Sequence, residues 1–257
     1  ICHHITELGV FFMGKLYVVP TPEGNLEDMT FRAIRVLKEA DLILAEDTRT
    51  SGILLKHFEI KNAMQSHHKF NEHKTVEGIV NRIKAGETVA LISDAGTPGI
   101  SDPGFLRVRE CVKSGIEVQC LPGATAFVGA LIASGISPQP FLFYGFLNSK
   151  DSKRRDELEM LKDNEYTMIF YEAPHRIMKT LNMMLEVFGD RDISISREIT
   201  KKFETVYRGK LSDVIRNVPE KWEFVIVVSG CEEKFIDDNL SIKEAANLYI
   251  KAGLDVM

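Results

Sequence analysis

The chain has no surplus of positive charge: 32 lysines and arginines stand against 37 aspartates and glutamates, a formal net charge of −5. That excludes the global basic field that drives nonspecific nucleic-acid binding, so any contact with nucleic acid has to be local. The four cysteines, Cys2, Cys111, Cys120 and Cys231, show no CxxC spacing. A chain of 257 residues needs no covalent staples, so they read as small packing residues in a reducing cytosol, and a cytoplasmic location is expected. No apolar run approaches the ~20 residues that cross a bilayer, so no membrane partner is expected. The opening "ICHHITELGVFF" lacks the basic start and small-residue cleavage site of a signal peptide, and residues 1–13 read as an upstream extension. Internal repeats and low-complexity tracts are missing too.

What is present is an ordinary globular composition, 44% hydrophobic and 27% charged. Short apolar runs ("KLYVVP", "DLILAE", "TVALISD", "IEVQCLP") alternate with stretches whose apolar residues recur every three or four ("TFRAIRVLKEA", "DTRTSGILLKHF", "EHKTVEGIVNRIKAG", "GFLRVRECVKSG"). Strand–helix alternation predicts βαβ units around a mostly parallel sheet. A second block opens near Pro122 with "GATAFVGALIASGI", small and apolar throughout, as expected of a helix buried between layers or domains. Strands at "FLFYGFL", "YTMIFYE", "DISISRE", "ETVYRGK" and "EFVIVVSG" follow, with helices over 150–162 and after Pro174. The last strand reads as buried on both faces. The expected organisation is an N-terminal α/β domain over 14–122, a C-terminal α/β domain over 123–230, and a segment over 231–257 that stops in mid-pattern, as a module cut short would.

The stretch "TVALISDAGTPGISDPG" leaves a strand and enters a loop rich in glycine and proline but without lysine. A phosphate cradle calls for a lysine or an uncluttered helix N-terminus, and Asp94 and Asp102 would repel a phosphate. Close backbone approach combined with carboxylates suits a ligand with hydroxyls or positive charge, and S-adenosylmethionine carries a sulfonium, an ammonium and ribose hydroxyls. The plain alternative is a pair of tight turns. Two further Gly/Pro loops, "PTPEGN" and "LPGATA", follow other strands and are expected to converge on the same rim.

Taken together, "VVPTPEGNLEDMTFRAIRVLKEADLILAEDTRTSGILLKHF", "SDAGTPGISDPG", "FYEAPHR" and "REITKKFETVYRG" resemble the ribosomal RNA small subunit methyltransferase I family, within the tetrapyrrole methylase superfamily of class III methyltransferases. The resemblance covers about residues 15 to 230. It implies two α/β domains with S-adenosylmethionine in the cleft between them, a homodimer, and methyl transfer to the ribose 2′-hydroxyl of a cytidine in the decoding centre of 16S ribosomal RNA. By motif match Pro20, Asp94, Ala95, Gly96, Thr97 and Pro98 line the cofactor. Pro122, Gly123, Ala124, Tyr171, Glu172, Glu223 and Phe224 join them from the second half. The chain departs from the common family pattern at Glu23, Phe70 and Trp222, while His68, Asn71 and Glu72 match it.

Methyl transfer to a hydroxyl is an in-line displacement aided by positioning, desolvation and a base or cation near the oxygen. "AEDTR" offers Glu46 or Asp47 as proton acceptor and Arg49 as a phosphate contact; the plain reading has Asp47 or Thr48 capping the next helix. In "REITKKFE", Lys201 is a second candidate near the reacting oxygen, or else part of a surface ion-pair network that includes Arg197 and Lys202. "GFLNSKDSKRR" supplies Lys150, Lys153, Arg154 and Arg155, a local basic strip suited to RNA phosphates, or a solvated helix start. Arg49, His68, Asn71, Lys150, Arg154, Arg155, Arg197 and Lys202 are thus the expected RNA contacts. "QSHHKFNEHK" lacks the helical HxxxH spacing of a zinc pair, so no metal is expected. A tetrapyrrole C-methyltransferase and a noncatalytic ribosome-assembly protein are the competing functions.

Overall fold

The computed structural model describes residues 14–66, 72–101 and 104–231, and for 72–75 the backbone only. The first lobe runs β1 (Lys15–Val18), α1 (Phe31–Glu39), β2 (Leu42–Ala45), α2 (Thr48–His57), β3 (Met64–Ser66), α3 (Glu72–Lys84), β4 (Val89–Ile92), α4 (Phe105–Lys113) and β5 (Glu117–Cys120). Its sheet is parallel throughout, in the order β3-β2-β4-β1-β5. Strands β2 ("LILA") and β4 ("VALI") are buried at every residue, as continuous apolar runs covered by helices on both faces should be. Local signals set the helix starts. The hydroxyl of Thr30 accepts from the Ala33 N–H (3.1 Å) at α1, which turns Ala33, Val36 and Leu37 into the core. The Asp47 carboxylate does the same for the Arg49 N–H (2.8 Å) at α2.

The second lobe runs α5 (Ala126–Ser134), β6 (Phe141–Phe146), α6 (Asp151–Leu161), β7 (Thr167–Glu172), α7 (Ile177–Phe188), β8 (Asp192–Arg197), β9 (Thr205–Lys210), α8 (Leu211–Val214) and β10 (Phe224–Val228). Its sheet, β6-β7-β10-β8-β9, is mixed, unlike the parallel sheet that strand–helix alternation predicted and the first lobe forms: only β6 and β7 run parallel, and the other three pairings are antiparallel. The connection from β8 to β9 is shorter than the dozen or so residues a parallel crossover needs, so the chain must turn back. Strand β10, at the sheet centre, is buried along its whole length. One face of this sheet packs on α6, α7 and α8, the other on α5.

Helix α5 also differs from expectation. Ala130 and Leu131 pack on the sheet, but Val128 (49%) and Ile132 (68%) are exposed, so only one side of the helix is covered. Cys111 is buried, and its thiol is pushed up to about 11 by desolvation, whereas Cys120 lies exposed on the edge strand β5. Among the described residues no helix is long and apolar enough to cross a membrane.

Candidate active site

The first sheet sets where a ligand can sit. Strands β1 and β4 are neighbours, yet the chain leaves β1 towards β2 and leaves β4 towards β5, on opposite sides. That divergence opens a crevice beyond the strand carboxyl ends. The register puts those ends at one level: Val18 lies opposite both Leu91 and Cys120, and Ala45 opposite Ile92. The loops "PTPEGN", "AEDTR", "DAGTPG" and "LPGATA" therefore rise from a common rim.

Specific contacts tie these loops together. Thr21 and Gly96 exchange two backbone hydrogen bonds (3.0 and 2.9 Å). The Asp47 N–H donates to Asp94 Oδ1 (3.1 Å), linking the β2 and β4 loops. Thr97 donates its hydroxyl proton to the Ala124 carbonyl (3.0 Å). Glu23 crosses further: its Oε1 accepts from the Ala126 N–H (2.7 Å) at the start of α5. Gly96 sits at φ +74°, and a Cβ there would stand 2.5 Å from Glu23 Oε1, so the Glu23 carboxylate occupies the space that a side chain at 96 would claim.

Between the lobes lies a cavity of about 360 Å³. The N-terminal lobe contributes Glu23, Glu46, Asp94, Ala95, Gly96 and Thr97 to its walls. The second lobe contributes Tyr171, Glu172, Glu198, Lys201, Glu223 and Phe224, with Phe146 on one side. Six carboxylates and a single lysine make it strongly acidic. Glu172 and Glu198 are paired with basic side chains. Glu172, fully buried, accepts from Arg176 Nε (2.9 Å), from the Thr180 hydroxyl (2.5 Å) and from the Ala173 N–H (2.7 Å), and so acts as a structural anchor beneath the cavity wall. Glu198 binds Lys201 Nζ at 2.7 Å.

Burial raises the Glu23 carboxyl above its ordinary value of 4.5; the Ala126 N–H opposes this, and the charges of Asp28 and Glu223 add to it. Folding thus shifts the carboxyl towards its protonated form relative to the unfolded chain. Its contribution to stability is complete below 4.5 and is lost as pH rises through the raised value. A Glu23→Gln substitution keeps an acceptor for the Ala126 N–H and removes the charge. Its unfolding free energy relative to wild type should therefore increase from pH 4 to pH 7 in urea titrations, and a pH-independent difference would contradict this reading.

Asp47 is drawn the other way, down to about 2, by its hydrogen bonds to the Arg49 side chain and then to the Arg49 N–H. Capping α2 and holding Arg49 Nη2 at 2.9 Å, it is poorly suited to take up a proton. Glu46, one residue earlier, lines the cavity, and Asp47 does not.

Several expected residues stand behind the wall instead of in it. Pro20 is buried and packs on Gly123, where a Cβ would come within 2.5 Å of the Pro20 ring. Pro98, Pro122, Gly123 and Ala124 shape the loops without lining the cavity. Glu23, Glu198 and Phe146 line it although the sequence did not single them out as ligand contacts. Glu23 and Glu198 lie inside motifs already recognised, whereas Phe146 falls in an apolar strand with no outward signal.

The basic strip needs a correction. Arg154 is 1% exposed: Nε and Nη2 donate to the Asn148 and Ser149 carbonyls (both 3.1 Å), and the guanidinium pairs with Asp151, so it closes the β6–α6 connection and is not presented to RNA. Lys150 and Lys153 are exposed, and Arg155 is half exposed but bound to Glu186. Arg197 donates to Thr205 Oγ1 (3.1 Å), Lys202 lies over the Phe203 ring, and the Arg49 side chain is 90% exposed. His68 and Asn71 lie outside the described residues. Among the described residues no three His, Cys, Asp or Glu side chains group to hold a metal ion.

Residues 15–215 match the tetrapyrrole (corrin/porphyrin) methylase family. The ribosomal RNA small subunit methyltransferase I of Bacillus subtilis is 48% identical over 250 residues, covering 94% of this chain and 86% of the relative. The protein of that name from Synechocystis is 45% identical over 237 residues, covering 89% and 85%. Among solved structures, a uroporphyrin-III C-methyltransferase from Thermus thermophilus aligns with TM-score 0.59 at 20% identity, over 83% of this chain and 94% of the other. A cobalt precorrin-4 methyltransferase aligns with TM-score 0.60 at 16% identity, over 84% and 94%. These two share the fold. With its acidic cleft at the strand ends and close relatives along nearly its whole length, the chain belongs to the tetrapyrrole methylase family and, within it, to the ribosomal RNA small subunit methyltransferase I group.

Proposed function

We propose that the chain transfers a methyl group from S-adenosylmethionine to the ribose 2′-hydroxyl of a cytidine in the decoding centre of 16S ribosomal RNA. The observation that carries this reading is the 48% identity to a small subunit methyltransferase along 94% of the chain. The cavity is chemically consistent with it. Asp94 and Glu223 in its wall create a negative potential suited to a cationic donor. A tetrapyrrole bearing several carboxylates would meet the same negative wall, so the small-molecule alternative is disfavoured.

Bound in the cleft, S-adenosylmethionine supplies a methyl group activated by a sulfonium. Asp94, Glu223 and the "DAGTP" backbone would hold it, with Tyr171 and Phe224 as the apolar wall. Glu46 accepts the proton released by the ribose hydroxyl. Lys201, oriented by Glu198, supplies the cation near the oxygen. Lys150, Lys153 and Lys202 offer phosphate contacts, which suffices for a folded subunit recognised by shape. The uncovered face of α5, with Val128 and Ile132, supports a homodimer. A cytoplasmic site of action follows from the ribosomal substrate.

Incubation with labelled methyl donor and either 30S subunits or naked 16S RNA tests the reading: label should appear in ribose, and absence of label from both RNAs would overturn it. Asp94→Asn should weaken donor binding about tenfold by calorimetry, the scale of one charge-assisted contact. An unchanged dissociation constant would remove Asp94 from the donor site.

A further inference from the structure

The β6 strand ends in an irregularity that changes what its last residue does. Along β6, Leu142 and Tyr144 pack on the core under α6 and α7, and Phe143 packs on the opposite side, towards α5. Strict alternation would send Phe146 to the same side as Leu142 and Tyr144. The pairing with β7 slips instead: Phe143 stands opposite Ile169, Gly145 opposite Phe170 and Phe146 opposite Tyr171. Two residues of β6 thus occupy the space of one, with Gly145 at φ +81°, a conformation that disfavours any side chain. The bulge turns Phe146 onto the Tyr171 side of the sheet, which is the cleft.

There the ring meets Tyr171 edge to face, with centroids 5.5 Å apart, and lines the cavity while remaining 47% exposed. Its counterpart from the N-terminal lobe is Ile100, also in the cavity wall and 46% exposed. The two segments lie close together: a Cβ placed on Gly145 would stand 3.6 Å from Ser101 Oγ. Glu172, Ser196 and Phe224 are nearly inaccessible at the cavity floor, so the half-exposed apolar pair marks its mouth. A small donor can pass to the acidic floor. A polymeric acceptor has to enter at the mouth, and one nucleotide must leave its stack to bring a ribose hydroxyl inside.

We propose that Phe146, aimed by the β6 bulge and sharing the cavity wall with Ile100, is the platform on which the unstacked acceptor nucleobase rests. This deepens the methyltransferase reading and depends on it. An apolar, half-exposed aromatic face offers stacking without reading a hydrogen-bonding pattern, so Phe146 is a positioning residue and base identity must be sensed elsewhere.

The test compares Phe146→Ala, Phe146→Leu and Phe146→Tyr. KM for 30S subunits and kcat come from methyl incorporation, and donor affinity comes from calorimetry without RNA. Phe146→Ala should raise KM for subunits about tenfold and leave the donor dissociation constant within about twofold, while Phe146→Tyr should stay near wild type. Phe146→Leu should resemble the alanine variant, and it carries the comparison if Phe146→Ala fails to fold. Donor affinity falling tenfold with an unchanged subunit KM would assign the ring to the donor and overturn the proposal, as would full rescue by leucine. Failure of the wild-type protein to label ribose would instead overturn the methyltransferase reading on which the proposal rests.

Discussion

Glu46→Gln is expected to lower single-turnover methyl transfer by about 10²- to 10⁴-fold, the usual range for a general base, while donor affinity stays within about twofold. The structure separates Glu46 from its neighbour on physical grounds. Asp47 already serves two donors, the Arg49 backbone and guanidinium, and is held down to about 2, so it stays ionised and has little tendency to accept a proton. Asp47→Asn keeps a side-chain oxygen to cap α2, since asparagine caps helices about as well as aspartate, and should leave the rate largely intact. Rates within about threefold of wild type for Glu46→Gln would remove it from the reaction. A collapse confined to Asp47→Asn would move the role one residue along the chain.

Glu172→Ala should be among the most damaging substitutions for folding, lowering the unfolding free energy by about 3–5 kcal/mol in guanidinium titrations. The carboxylate is inaccessible and receives protons from Arg176, Thr180 and the Ala173 backbone. Arg176 in turn donates to the Leu147 carbonyl (3.3 Å), so one ionic cluster joins the ends of β6 and β7 to the start of α7. Removing the anion leaves a largely buried guanidinium and a buried hydroxyl without their acceptor. Domains of this kind have only about 5–15 kcal/mol in hand, so the loss should be visible as a lower midpoint. A change below about 1 kcal/mol would mean that solvent or another side chain replaces the carboxylate. Because Glu172 also borders the cavity, its loss of activity would follow from unfolding, and donor binding measured well below the transition should persist.

Helix caps and buried strands were legible locally. Asp47 caps α2 within two residues of itself, and the β2, β4 and β10 runs are apolar at every position because both faces are covered. Strand β3, three half-buried residues, and α8, a single turn, are too short to show a period. The direction of the second sheet's strands was not read from the sequence, although the short β8–β9 connection left the antiparallel pairing open to inference. Arg154 was misplaced because a charge run does not reveal which member turns inward; its geometry depends on two carbonyls that face it only once α6 is docked.

By itself the sequence determined the two α/β lobes, the family, and the loops that rise from the first sheet, since these depend on local periodicity, on turn chemistry and on motifs in a fixed order. Only the tertiary structure decided which residues of those motifs line the cavity between the lobes. Glu23 reaches across to α5, Glu172 withdraws to anchor α7, and one extra residue in β6 swings Phe146 into the cleft. The physical reason is that side-chain direction at a strand end or loop is set by register and by the partner surface, and both are supplied by residues distant in the chain.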